Sequence, residues 1–161
     1  MLAEIFAEAI KKADPIAFPG CYPTSVLIPL IPLLRERLID SRLLIADSKS
    51  GVSGAGKKPT ATTHFCEANE DFKPYGIMSH RHTPEIDNII ARAAGISTRI
   101  TFTPHLVPMN RGMLSTIYSI TEAKRDDLLA AWHQAYDDKP FVRIRDGITP
   151  AVKYVANTGY I

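Results

Sequence analysis

Helical and strand-like hydrophobic patterns follow one another along this sequence without a regular alternation. Apolar residues recur at helical spacing in 2–13, 22–39, 83–94 and 125–136. Short apolar or alternating runs, which are typical of strands, occupy 16–18, 43–47, 62–66, 99–107, 112–120 and 141–144. Repeated strand–helix units would alternate strictly. The observed order therefore predicts an α+β fold with a mixed, largely antiparallel sheet and helices packed on one face.

Local signals set the ends of several predicted elements. Thr83 is predicted to cap a helix that Gly95 stops. Pro29 and Pro32 lie inside the second helical segment, where proline removes a backbone donor, so we expect a kink or an interruption there. A tight connection at 108–111 joins the two strands that flank it.

The composition excludes several classes of protein. The 161 residues are 45% hydrophobic and 22% charged, which excludes a disordered chain and favours a single soluble domain. No run of about 18 apolar residues occurs, so we expect no membrane helix. The net charge of +2 has no clustered basic face and does not favour a nucleic-acid partner. Two cysteines and the lack of a signal-peptide pattern predict reduced thiols and a cytoplasmic protein.

Cys21 is the first candidate for chemistry. It follows Pro19 and Gly20 and opens a predicted helix. Free backbone N–H groups and the positive end of a helix dipole favour the thiolate form of a cysteine at such a place. Gly20 also lets a substrate or another backbone approach closely. The alternative is a buried structural cysteine.

The second candidate is the segment SHRHTPE at 79–85. His80 and His82 are two residues apart, which places them on one face of an extended chain. The helix start after His82 favours a neutral imidazole, and a general base must be neutral. Arg81 could bind an anionic group. The alternative is that one or both histidines are surface or core-edge residues.

The glycine-rich segment 50–58 matches most of a phosphate-binding loop. Gly51, Gly56 and Lys57 fit the pattern G-x-x-x-x-G-K-[ST], but Lys58 occupies the position of the magnesium-binding Ser or Thr. A proline then follows instead of a helix, so we reject a nucleoside triphosphate site. A backbone loop beside a flat or anionic ligand and an ordinary surface loop both remain open.

A zinc site is a further alternative. His64 with Cys66, and His80 with His82, provide four ligands that zinc accepts. Each pair has one intervening residue, whereas zinc sites usually have two to five. No metal is therefore assigned, and a metal-binding module is kept only as an alternative.

Six motifs in order resemble those of the N-acetyl-gamma-glutamyl-phosphate reductase family of arginine biosynthesis. They are PGCYPT at 19–24, SGVSGAG at 50–56, HFCE at 64–67, HRHTPEI at 80–86, FTPHL at 102–106 and RG at 111–112. Members of that family begin with a Rossmann domain, but this sequence contains no strand–GxGxxG–helix unit. The resemblance therefore implies one catalytic, substrate-binding and dimerisation domain over 1–161, like the C-terminal domain of glyceraldehyde-3-phosphate-dehydrogenase-like reductases.

The resemblance implies a two-step reduction through a cysteine. Cys21 would attack the acyl carbon of N-acetylglutamyl phosphate, release phosphate and form a thioacyl enzyme. NADPH would reduce this to a thiohemiacetal, which collapses to the semialdehyde. His82 would be the general acid/base, with His80 as the alternative or as a substrate contact. NADP would be bound mainly by the missing domain, so we expect the isolated chain to be inactive.

The resemblance also assigns the remaining site residues. Those expected to contact the substrate are Ser50, Gly51, Ser53, Arg81, Glu85 and Arg111. Gly54 and Gly56 would lie beside the cofactor. A homodimer or homotetramer built through the sheet is implied as well, with a non-catalytic assembly module as the alternative function.

Overall fold

The computed structural model describes residues 2–161 as a four-stranded sheet with helices packed against it. The helices are α1 (Ala3–Ile10), α2 (Cys21–Arg35), α3 (Phe65–Ala68), α4 (Thr83–Ala94) and α5 (Arg125–Tyr136). The strands are β1 (Ile45–Ser50), β2 (Lys73–Pro74), β3 (Thr101–Leu106) and β4 (Met113–Tyr118). Short 3-10 turns occupy Val52–Ala55, Ala61–Thr63 and Val152–Tyr154. None of the helices in 2–161 is both long enough and apolar enough to span a membrane.

The sheet is mixed, as the sequence predicts. Its strand order is β2-β3-β1-β4, with β1 parallel to β3, β1 antiparallel to β4 and β2 antiparallel to β3. Side chains alternate along β1, so that Ala46 and Ser48 are fully buried while Asp47 and Lys49 on the other face are half-buried. The core therefore lies on one face of the sheet, as expected for an α+β domain.

Helix α2 lies at the centre of the core. Its buried apolar residues cover all sides of the helix and include Tyr22, Val26, Leu27, Ile28, Leu30, Ile31 and Leu34. A helix that is apolar all round must be covered all round. It packs against α4, α5 and β4, and this burial holds its first residue, Cys21, in a defined place.

The predicted kink in α2 is wrong, because the helix continues through both prolines. Pro32 lacks the N–H that would bond the carbonyl of Ile28. The hydroxyl of Tyr136 donates to that carbonyl at 2.6 Å instead, and Trp132 Nε1 donates to the carbonyl of Pro29 at 2.8 Å. Helix α5 thus supplies donors along the segment of α2 that contains the prolines.

Three predicted strands are also wrong. Residues 16–18 have no regular structure, and Phe18 is 82% exposed, so this apolar run is not buried. Residues 62–66 form a 3-10 turn and the start of α3 because Thr60 and Thr63 cap each other's backbone N–H groups. Residues 141–144 form backbone hydrogen bonds with Ile161, and Val142 donates to Lys139 in a turn, which is too little pairing to make a strand.

Several element boundaries differ from the prediction. Helices α1 and α2 end at Ile10 and Arg35, whereas the periodicity predicted ends at 13 and 39. The strand expected at 43–47 is β1 (Ile45–Ser50), which runs into the predicted loop because Ser48 and Ser50 face the interior. Helix α4 ends at Gly95, as predicted, but its N-cap residue is His82 and not Thr83. The Thr83 hydroxyl is buried and has no hydrogen-bond partner in 2–161.

The connection between β3 and β4 crosses the end of β1, which lies between these two strands. The Gly51 N–H donates to the carbonyl of Gly112 at 3.0 Å, and the Val52 N–H donates to that of Met109 at 2.9 Å. A Cβ at Gly51 would lie 2.8 Å from the Met109 oxygen, so this approach requires glycine. The contact places the glycine-rich segment beside Arg111.

The substitution Tyr136→Phe tests how α5 compensates for proline. Loss of the hydroxyl leaves the buried carbonyl of Ile28 unpaired, so we expect the free energy of unfolding to fall by about 1–2 kcal/mol in urea titrations. In a Pro32→Ala background the restored N–H serves that carbonyl, and the cost should shrink. Tyr118→Phe, at an exposed hydroxyl, is the control. Equal costs of Tyr136→Phe in both backgrounds would contradict this account.

Candidate active site

Cys21 is the first residue of α2, and its side chain is exposed. Gly20 is the N-cap residue, in an extended conformation, and has no side chain that could cap the helix. Its carbonyl accepts hydrogen bonds from both the N–H and the hydroxyl of Thr24. The positive end of the helix dipole is therefore directed at an accessible thiol, as the sequence predicts.

Both chain neighbours of Cys21 contact the histidine pair. The ring of His82 packs on Gly20 so closely that a Cβ there would collide with Nε2 and lie 2.7 Å from Cε1. The Tyr22 ring lies 5.6 Å from that of His80 and 6.0 Å from that of His82, between ring centroids. The two imidazoles are 5.0 Å apart. The structure thus brings the two candidate sites together.

The surroundings of the histidines favour their neutral forms. Burial lowers the pKa of both imidazoles, and Arg81 lowers both further. The backbone N–H of His82 donates to His80 Nδ1 at 3.2 Å, which requires an unprotonated Nδ1. His82 Nδ1 is buried and has no hydrogen-bond partner in 2–161, and its Nε2 lies 4.0 Å from Glu85 Oε2. A neutral His82 can accept a proton.

Tyr75 belongs to this cluster, and the sequence analysis missed it. Its hydroxyl lies 2.8 Å from that of Tyr22, and its ring is 5.5 Å from His80. Burial raises the pKa of both tyrosines, and the nearby charge of Cys21 raises both further. The signal was weak, because Tyr75 ends the segment 60–75 in which no clear periodicity exists.

A cleft of about 820 Å³ opens on the other side of Cys21. Besides Cys21, its lining contains four of the predicted site residues: Ser50, Ser53, Gly54 and Arg111. Arg143 and Arg145, which the sequence analysis did not single out, line the same cleft. In the described part of the chain, none of the three arginines forms an ion pair with a carboxylate. The cleft therefore has unpaired positive charge.

The other predicted residues lie outside this cleft. His80, Arg81, His82 and Glu85 are on the histidine side of Cys21, whereas Gly51 packs against the backbone of 109–111. Gly56 has φ +86° and nothing near its Cα on the side where a Cβ would stand.

The zinc alternative gains no support from the structure. His64 and Cys66 are exposed, in the turn before α3 and in α3 itself. Within residues 2–161, no three or more His, Cys, Asp or Glu side chains are grouped so that they could hold a metal ion.

Comparison of the sequence with known proteins agrees with the six motifs. Residues 21–161 match the family model described as semialdehyde dehydrogenase, dimerisation domain. A Rhodopirellula baltica protein named N-acetyl-gamma-glutamyl-phosphate reductase is 45% identical, with 99% of this chain and 48% of the relative aligned. A Syntrophobacter fumaroxidans protein of the same name is 47% identical over 99% of this chain and 47% of its own. The chain thus spans about half the length of these curated relatives.

Solved structures give the same fold. The probable aspartate-semialdehyde dehydrogenase from Pseudomonas aeruginosa superposes with a TM-score of 0.70 at 14% identity, over 99% of this chain and 55% of that one. The aspartate semialdehyde dehydrogenase with NADP from Candida albicans gives 0.59 at 12% identity, over 98% and 51%. The chain therefore belongs to the semialdehyde dehydrogenase dimerisation-domain family, and its resemblance to N-acetyl-gamma-glutamyl-phosphate reductases is confirmed.

Proposed function

We propose that this chain is the catalytic cysteine domain of an N-acetyl-gamma-glutamyl-phosphate reductase. The reaction is the NADPH-dependent reduction of N-acetylglutamyl phosphate to N-acetylglutamate semialdehyde, a step of arginine biosynthesis. The names of the relatives support the substrate. The observation that carries the proposal is the contact of Gly20 and Tyr22, on either side of Cys21, with the histidine pair.

In the first step the Cys21 sulfur attacks the acyl carbon of the substrate. The bond between that carbon and the phosphate oxygen breaks, inorganic phosphate leaves, and a thioester remains on Cys21. Cys21 lies at the start of α2, where the positive end of the helix dipole faces its side chain. His82, neutral because it is buried, takes the thiol proton.

In the second step His82 gives up the proton that it took, and Cys21 releases the acyl group as the aldehyde. When bound, NADPH supplies the hydride that reduces the thioester carbon. The resulting oxygen takes a proton from the protonated His82, which gives a thiohemiacetal on Cys21. When the bond between carbon and sulfur breaks, the neutral His82 takes the hydroxyl proton back, and the semialdehyde and the free thiolate are released. A sulfur that attacks readily and also leaves readily suits both steps. We assign His80, which contacts His82 through Nδ1, as the alternative acid/base or as a substrate contact.

We assign only the nicotinamide end of NADP to this chain. Gly54 lines the cleft together with Cys21, and a Cβ at Gly54 would lie 2.6 Å from Ser50 Oγ. Gly56, farther along the same segment, has open space where a Cβ would stand. Since 2–161 contains no strand–GxGxxG–helix unit, we assign most of the NADP contacts to a domain outside this sequence, and we expect the chain alone to reduce nothing.

The charge of the cleft suits the proposed substrate. N-acetylglutamyl phosphate carries a carboxylate and a phosphate, and guanidinium groups bind both in a two-pronged manner. Arg111, Arg143 and Arg145 form no ion pair with a carboxylate among the described residues, and the cleft lining contains one acidic side chain, Glu4. We assign Ser50 and Ser53 as polar contacts of the substrate. A volume of about 820 Å³ is in the range of small-molecule sites.

We further propose a cytoplasmic homodimer or homotetramer. The family description and the exposed aromatic residues on and beside the outer face of the sheet, Tyr118 and Phe72, support a subunit contact there. Cys21 and Cys66 are free, as in a reducing compartment. The second candidate function is a non-catalytic assembly module, which the same exposed face would serve.

The substitution Cys21→Ser separates these two functions. The wild-type chain, given fresh N-acetylglutamyl phosphate without NADPH, should release one equivalent of phosphate and gain one N-acetylglutamyl group on Cys21 by mass spectrometry. Cys21→Ser should lower the rate of phosphate release by more than about 1,000-fold. Cys66→Ser is the matched control and should keep the wild-type rate. Equal rates in the wild type and in Cys21→Ser would favour the assembly module.

The substitution Gly20→Ala tests the contact with His82. The new Cβ must displace the imidazole, so we expect thioester formation to slow by about 100-fold, the cost of a misplaced catalytic group. Gly95→Ala is the control: at φ +69° it should cost about 1 kcal/mol of stability and leave the rate unchanged. A Gly20→Ala variant with the wild-type rate would show that the packing has no catalytic role.

A further inference from the structure

Glu85 connects the two helix starts that form the site. It lies in the first turn of α4, and its Oε1 accepts a hydrogen bond from the backbone N–H of Gly20 at 3.2 Å. Its Oε2 is 4.0 Å from His82 Nε2. One carboxylate therefore joins the helix that begins after the histidines to the residue that precedes Cys21.

The surroundings of the Glu85 carboxylate favour contacts with groups of the protein over contacts with the substrate. The His82 side chain is 12% exposed and that of Glu85 is 33% exposed, so water competes only in part for their contact. The Gly20 N–H is half-buried, and a buried donor needs an acceptor. Glu85 does not line the cleft, and its negative charge would repel the carboxylate and the phosphate of the proposed substrate.

The charged groups around His82 shift the pKa of its imidazole in opposite directions. Tyr22, His80 and Arg81 face or adjoin it on one side, and Glu85 faces it on the other. Burial and Arg81 lower the pKa of His82, whereas Glu85 raises it. In the described part of the chain, Glu85 is the carboxylate paired with His82. It therefore offsets part of the cost of a positive imidazolium in a partly buried place.

We propose that Glu85 is a positioning residue, not a substrate contact: it holds Gly20 against His82 and stabilises the imidazolium while His82 carries the proton of Cys21. The proton step depends on the proposed function. The positioning itself depends only on the two contacts of Glu85, and its test needs no substrate. Failure of thioester formation and failure of this proposal can therefore be distinguished.

The first test is an NMR titration of the His82 imidazole. Glu85→Gln removes the negative charge but keeps an acceptor for Gly20, so the midpoint should move to lower pH by about one unit. Arg81→Gln removes a positive charge and should move it to higher pH. Glu67→Gln, at an exposed first-turn residue of α3, is the matched control and should leave the midpoint unchanged. An unchanged midpoint in Glu85→Gln would overturn the proposal.

The second test follows hydrogen exchange at the Gly20 amide. Glu85→Ala removes the acceptor, so we expect Gly20 to exchange about tenfold faster than in the wild type. In Glu85→Gln the amide oxygen still accepts, and the exchange rate should stay near that of the wild type. Because Glu85→Gln conserves size, it keeps the test decisive even if Glu85→Ala folds poorly. Equal exchange in all three proteins would overturn the positioning role.

Discussion

The close packing of the His82 imidazole on Gly20 is the contact on which the site depends. It exists because Gly20 has no Cβ and because the two helices that begin here are anchored elsewhere. Helix α2 is buried on all sides, and α4 packs on it through Ile86 and Ile90, which are fully buried. The core thus fixes the distance between the two helix starts, and the proposed catalytic residues lie where they meet.

Hydroxyl groups fix the first turn of α2 to the sheet. Ser25, four residues after Cys21, has its Oγ 2.8 Å from that of Ser115 in β4, which is in turn 2.7 Å from Ser48 in β1. Ser48 is fully buried, so these hydroxyls satisfy one another inside the core. Cys21, the proposed nucleophile, therefore lies between two sets of contacts: Glu85 accepts a hydrogen bond from the residue before it, and the serines bond to one another one helical turn after it.

Local sequence signals predicted the features that depend on residues close together in the chain. The bounds of α4 and α5 followed from periodicity and from Gly95, and the position of Cys21 followed from the Pro-Gly turn before it. Long-range contacts decided the rest. The continuity of α2 needs donors from α5, more than 100 residues away along the chain. Arg143 and Arg145 come to the cleft only because the C-terminal segment folds back beside Cys21, which no spacing rule indicates.

Limited alkylation with iodoacetamide at neutral pH, read by peptide mass spectrometry, tests the central claim most directly. Cys21 and Cys66 are both exposed and both free, so a difference in their rates reports reactivity and not access. The account expects Cys21 to react at least about tenfold faster than Cys66, and expects His82→Ala to reduce that preference. Equal rates at the two cysteines, or a preference that persists without the imidazole, would contradict it.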